Sequence, residues 1–511
     1  MRNHASIRTK PLRFETLETR QMLAVGISAV LENGLLTIDG SDASETIHVW
    51  RKAGEYRIDG VADTFAGRNV RSIKVNCGDG DDLVRLDTGS IRGQQPLNRT
   101  VAVHSGAGSD TITWAQQTVY VSGTGNTLVV DPDGRAKLNG KLPDWFDTHV
   151  ADAALRELAK EDYVEQGQLS RGAMHDIFNQ VAGDGTVSNT EYAGLKAIVQ
   201  HTQLFENVAY VQNLSSKVVL ANPANRNYQG APLGNLAAGA TADHLEKLVD
   251  KWFLGTDHPL AQSSDQSTTY VYAEATGPLF SPAPQYADVR QGYLGDCYFL
   301  SAVAEVALRT PGVLRSAFII NGDQTYTVRF YRDGRADYVT VDSELPVDSQ
   351  GECVFANQGI PVNDPNQPTW VALLEKAYAQ LNEEGWIRKG EQGSGINSYQ
   401  ALANGFFEKA ARQLTPKRSA YTIYPANQRS FQSFLAAANA GRYLGFSTKT
   451  NPPNPLLVSN HSYAFLSYDR ATRRVTLFNP WGLKNGTANP GLVRLTWAQI
   501  RANFSDIDCV G

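Results

Sequence analysis

Residues Gln291 to Leu300, Gln-Gly-Tyr-Leu-Gly-Asp-Cys-Tyr-Phe-Leu, place a cysteine where a Gly-rich turn meets an apolar helix. Ser301 to Leu308 continues that helical spacing. The first turn of a helix has backbone N–H groups without intrahelical partners and carries partial positive charge. Such a position is expected to lower the pKa of the Cys297 thiol and to supply thiolate near neutral pH. The same N–H groups can face a developing oxyanion, and Gln291, six residues earlier, can add a side-chain amide. The segment therefore predicts a nucleophile, its activation and part of an oxyanion hole.

A cysteine nucleophile needs a base, and the base needs a group that orients it. His461 stands in Ser459-Asn460-His461-Ser462-Tyr463-Ala464-Phe465-Leu466, a predicted strand with alternating apolar positions. Asn479 follows eighteen residues later, at the end of a second predicted strand over Arg474 to Phe478. An Asn side chain can accept an imidazole N–H and fix the tautomer of the ring. Trp481 is expected to shield that bond from water. Cysteine first, histidine late and asparagine last is the chain order of papain-like peptidases.

Together these segments resemble the calpain-type cysteine peptidases. That family carries Gln-Gly-x-Leu-Gly-Asp-Cys-Trp at the nucleophile, a Gly-His-Ala-Tyr-like segment at the base, and Asn-Pro-Trp-Gly at the third residue. Trp370 to Leu381 looks like the family's helix between nucleophile and base, and Ser398 to Gly405 matches its Ser-Tyr-x-x-Leu-x-x-Gly. The matches span residues 266–511, about half the chain. Tyr298, Asn460 and Ser462 depart from the usual Trp, Gly and Ala, which bears on substrate preference.

The resemblance implies an α+β, papain-like, two-lobed peptidase. A mainly helical lobe (266–415) would hold Cys297, a mainly β lobe (416–511) would hold His461 and Asn479, and substrate would lie between them. It also implies roles: Cys297 the nucleophile, His461 the base, Asn479 the orienting residue and Gln291 an oxyanion donor. The substrates implied are proteins or peptides, cleaved through a thioester, with no cofactor required for the chemistry. Calcium enters as an implied regulator, with Asp288 and Glu375 as candidate ligands because carboxylates from two segments suit a hard cation. A catalytically dormant surface binding or scaffold protein is the alternative, and a papain-fold transglutaminase a further one. The intact Cys, His and Asn weigh against the first, and Asn479 in place of Asp against the second.

The rest of the chain reads as a different kind of protein. Its 511 residues suggest several domains, and 42% hydrophobic residues suit ordinary cores. A net charge of −5 without a basic stripe excludes a nucleic-acid partner. Four scattered cysteines give neither a disulfide framework nor a zinc spacing. No run reaches the ~20 apolar residues of a membrane span. Residues 1–25 are basic, then read Phe14-Glu15-Thr16-Leu17-Glu18-Thr19-Arg20-Gln21-Met22-Leu23-Ala24. That stretch resembles a sorting segment of large surface or secreted proteins of planctomycete bacteria, and it implies export or attachment at the cell surface.

Residues 26–140 are β-prone and rich in Gly and Asp, with a loose repeat at Gly40, Gly78, Gly106 and Gly123. The repeat resembles the Gly-Gly-x-Gly-x-Asp turns of secreted toxins and proteases, which implies a parallel β-helix with calcium at its turns. A β-solenoid or small sandwich whose turns merely need Gly and Asp fits the same residues. Residues 141–265 turn helical and read as a connector. Within it, Asp176 to Tyr192 is similar to an EF-hand loop, with Asp184, Gly185, Val187 and Glu191 at suitable places. Gln180 and Ala182 stand where carboxylates are needed, so tight calcium binding is not expected there.

Overall fold

The computed structural model describes residues 26–87, 95–483 and 489–511. The sorting-like segment expected over 1–25 lies outside the described residues. The chain divides into two compact units, one ending at Lys160 and the other starting at Glu161.

The first unit is built on two six-stranded sheets. In one sheet the strands Leu35–Asp39, Ser72–Asn76 and Val101–His104 run parallel. In the other, Thr46–Lys52, Leu83–Leu86 and Ser109–Trp114 do the same. Each of these strands in the first sheet leads through a Gly/Asp turn into its counterpart in the second, so three coils stack. Antiparallel hairpins such as Ser28–Glu32 on Leu35–Asp39 and Gln117–Ser122 on Ser109–Trp114 close the stack. Alternation along each strand turns Ile38, Ile47, Val75, Val84, Val103 and Ile112 into one shared core.

The turns explain the repeat. Ser109 N–H donates to Asp81 Oδ1 at 2.8 Å, Glu45 N–H to Asp82 Oδ1 at 2.8 Å, and Asp82 N–H to Asp110 Oδ1 at 3.0 Å. Carboxylates of one coil thus satisfy amides of the next. Gly106, at φ +76°, passes so close to the coil below that a Cβ would lie 1.6 Å from Gly78 O. Only glycine fits there. The copy at Gly123 differs in kind, because its chain returns from the second sheet to the first.

The second unit runs through residue 265. The helices Arg171–Ala182, Asn189–Gln200, Ala209–Val219 and Ala242–Val249 belong to the same compact unit as everything after them. Buried charges hold the two stretches together. Lys251 Nζ sits between Asp257 and Glu383, and Lys217 Nζ between Asp337 and Glu384. In the EF-hand-like segment Glu191 accepts Ser188 N–H in a capping box at the start of Asn189–Gln200. Its carboxylate serves the helix end.

Residues 266–415 carry more sheet than expected. Beside the helices Cys297–Arg309 and Trp370–Leu381 lies a three-stranded antiparallel sheet of Phe318–Ile320, Thr325–Arg332 and Arg335–Asp342. Its hairpin turns on Asp333 and Gly334, both at positive φ, which suits the twist of a two-residue connection. Residues 416–511 form a six-stranded antiparallel sheet. Its order is Ala420–Ile423, Phe504–Val510, Tyr443–Thr448, Ser462–Asp469, Arg474–Phe478 and Leu492–Thr496. Among the described residues no helix is long and apolar enough to cross a membrane.

Candidate active site

Cys297 is the first residue of the Cys297–Arg309 helix, with buried Asp296 at the N-cap. The turn before it is clamped by backbone bonds. Gln291 N–H donates to Pro480 O at 2.8 Å, Tyr293 N–H to Val354 O at 3.0 Å, and Asn404 N–H to Gly295 O at 2.9 Å. Gly292 lies against residue 355 so closely that a Cβ would meet Phe355 O at 2.2 Å. The Gly-rich composition is therefore a packing requirement. Gln291 Nε2 donates to Leu294 O at 2.7 Å, and the amide carries a second hydrogen.

His461 immediately precedes the Ser462–Asp469 strand and is 6% exposed. Its backbone N–H is held by Thr448 Oγ1 at 2.8 Å. Its Nε2 lies 2.9 Å from Oδ1 of Asn479, which is fully buried. The same Oδ1 accepts the Trp481 N–H at 3.1 Å, and the Trp481 ring lies 5.2 Å from the imidazole, centroid to centroid. With Nε2 donating to Asn479, Nδ1 is the free acceptor of the neutral ring.

Ser462, next to His461, meets the helix that begins at Cys297. Its carbonyl accepts the Ser301 hydroxyl at 2.8 Å, and its backbone lowers the thiol pKa, against the effect of burial. The fold thus pairs His461 with Asn479 and ties the strand that follows His461 to the helix that begins at Cys297, with Gln291 on the turn before the thiol. The electrostatics differ from the sequence-based expectation. Burial pushes the Cys297 thiol up to about 11, and the Asp296 carboxylate adds to the rise. The helix-terminal and Ser462 backbone groups act the other way but are outweighed. Burial likewise pushes His461 down to about 4, with Asn479 opposing. The resting pair is a neutral thiol beside a neutral imidazole.

Tyr298, in place of the usual Trp, donates to Leu402 O at 3.0 Å and accepts from Arg388 Nη1 at 2.9 Å. Gly405 makes room for its ring. Buried Arg388 also binds the carbonyls of Ala403 and Asn404, which no local pattern in the sequence signals. A cavity of about 550 Å³ opens beside this centre, lined in part by Arg290, Gln291, Tyr293, Gln358 and Trp481.

Asp288 and Glu375 have other partners. Asp288 Oδ2 accepts the Trp370 indole N–H and the Gln285 N–H, both at 2.9 Å. Glu375 Oε2 accepts the Ala356 N–H at 2.9 Å, and the carboxyl lies beside Asp296. Burial and mutual repulsion push Glu375 well up, and burial raises Asp296 to about 7. Among the described residues one group of three metal-capable side chains occurs, His258, Asp342 and Glu344, and it contains neither. There His258 Nε2 meets Asp342 Oδ2 at 2.6 Å, while the ammonium of Lys376 binds Asp342 and the Glu344 carbonyl. The Lys376 ammonium therefore already neutralises the Asp342 carboxylate of that group.

Residues 272–504 match the family described as calpain family cysteine protease. The calpain-type cysteine protease ADL1 of rice, Oryza sativa subsp. japonica, is 31% identical over 220 residues, which cover 40% of this chain and 9% of that protein. Mouse calpain-8 is 28% identical over 206 residues, covering 38% of this chain and 28% of its own length. The chicken calpain-2 catalytic subunit is 26% identical over 243 residues, covering 43% and 30%. The chain thus spans less than a third of the length of each of these relatives.

Proposed function

The chain carries a calpain-family cysteine protease domain over residues 272–504, and from that premise we propose that it is a cysteine endopeptidase using Cys297, His461 and Asn479. The observation that carries the reading is the hydrogen bond from His461 Nε2 to Asn479 Oδ1, next to Ser462, whose carbonyl accepts the hydroxyl of Ser301 on the helix that begins at Cys297. We read 266–415 and 416–511 as two lobes of a papain-like enzyme with substrate between them.

In this mechanism His461 Nδ1 takes the thiol proton as sulfur attacks a peptide carbonyl. The imidazolium that forms keeps its Nε2–H on Asn479. The helix-terminal N–H groups and the second Gln291 hydrogen meet the oxyanion. Collapse to the thioester sends the proton from His461 to the departing amine. Water, deprotonated by His461, then releases the acid and the thiol. Calcium acting through Asp288 and Glu375 would be regulatory.

The test is hydrolysis of casein by the full chain, wild type and Cys297→Ala, in calcium and in chelator. Hydrolysis lost in Cys297→Ala is expected. Equal hydrolysis by both proteins would sink the proposal. Wild-type activity unchanged by chelator would remove the calcium role alone.

A further inference from the structure

One face of the Cys297–Arg309 helix is unlike the rest. Phe299, Leu300, Ala302, Val303 and Val306 pack apolar surface. Cys297, Ser301, Glu305 and Arg309 recur at every fourth position and so share a stripe. Ser301, Glu305 and Arg309 each make a polar contact to the six-stranded sheet. The Ser301 hydroxyl donates to Ser462 O at 2.8 Å. Glu305 Oε1 accepts the Leu444 N–H at 3.0 Å. Arg309 is paired with Glu305, lies 5.1 Å above the Phe465 ring and reaches Phe465 O at 3.5 Å. Ser301 and Glu305 are fully buried.

The contacted strands, Tyr443–Thr448 and Ser462–Asp469, are neighbours in the sheet, and His461 stands at the start of the second. Apolar packing is non-directional and tolerates sliding, whereas a buried hydrogen bond weakens steeply with angle and distance. Register between the helix bearing the thiol and the strand bearing the imidazole therefore falls to the polar stripe. A misplacement of about 1 Å between such groups costs on the order of 10²-fold in rate.

We propose that Ser301 and Glu305, with Arg309, are positioning residues that fix the distance between Cys297 and His461 by tying the nucleophile's helix to the base's strand. The proposal rests on the reading of Cys297 and His461 given above. It makes alignment of the catalytic pair depend on the chain's own side chains.

The test compares wild type, Ser301→Ala, Glu305→Ala and Glu305→Gln for kcat, KM, thermal midpoint and the rate of Cys297 alkylation by iodoacetamide at neutral pH. Ser301→Ala is expected to lower kcat and alkylation rate together, by about 10- to 100-fold, with KM within about 2-fold. Glu305→Gln, which keeps an acceptor for Leu444 N–H, is expected to retain most of the kcat that Glu305→Ala loses. Folded variants with a lowered midpoint but unchanged kcat and alkylation would overturn the proposal. Should Glu305→Ala fail to fold, the Ser301→Ala result decides. A wild type whose casein hydrolysis does not need Cys297 would instead defeat the underlying reading. Alkylation rates would still report on the alignment in that case.

Discussion

His461→Ala is expected to lower peptide hydrolysis by about 10³- to 10⁴-fold while the protein remains folded. The size follows from the surroundings of the thiol. With its pKa pushed up to about 11, Cys297 is thiolate in only about one molecule in 10⁴ at pH 7. In the proposed mechanism His461 takes the thiol proton as the sulfur attacks, and alanine removes that acceptor. Asn479→Ala should cost less, about 10- to 100-fold, because it frees the ring's orientation but leaves the imidazole. Steady-state kinetics with a peptide substrate check both values. A His461→Ala enzyme within about 10-fold of wild type would contradict the assignment of the base. The folding control has its own sign. The folded pKa of His461 lies near 4, below the value near 6.5 of a free histidine. Its burial therefore favours the folded state above about pH 6.5, and that stability is lost as pH falls toward 4. The variant should lack this part of the acid dependence of the thermal midpoint.

Lys251→Met should be the most destabilising single change outside the site, at about 3–5 kcal/mol. The ammonium is fully buried, and it holds Asp257, Glu383 and the Asn227 carbonyl at once. Methionine fills most of the volume, so the loss is chiefly that of the charge. Two buried carboxylates would be left facing each other with no cation between them. Differential scanning calorimetry should show the midpoint of the second unit fall by roughly 5–10 °C, given about 2 °C per kcal/mol for a unit of this size. Lys251→Met together with Glu383→Gln should recover part of the loss, because one of the stranded charges goes with it.

How much of this was legible in the sequence depended on range. The segment from Gln291 to Leu300 showed its turn and helix because glycines, cap and apolar spacing all lie within a few residues. The strands around His461 and Asn479 were visible for the same reason. The state of the thiol was not visible, since burial, which raises its pKa, is a property of the folded chain and not of the local sequence. Nothing local to Lys217 or Lys251 signals burial, because their carboxylates at 337, 383 and 384 lie far along the chain and make them an internal seam. That seam is why a boundary drawn at 265 cuts through one compact unit. The sheet of Thr325–Arg332 and Arg335–Asp342 was within reach, because Asp333-Gly334 between two β-prone runs is a strong hairpin signal. Ser301, Glu305 and Arg309 had a readable period, but the acceptors and donors that give the period meaning lie on another element.

The carboxylate ladder in the first unit makes its folding a proton-uptake reaction. Asp82 and Asp110 are 2% and 1% exposed, and burial raises both to about 6, some two pH units above a free aspartate. At pH 5 the unfolded chain has shed these two protons and the folded coils retain them. By linkage their contribution to stability is complete below about pH 3.9 and disappears as pH rises through 6. Acidification therefore drives this unit and the imidazole of the peptidase centre in opposite directions, so mild acid tightens the stacked coils while it loosens the site around His461.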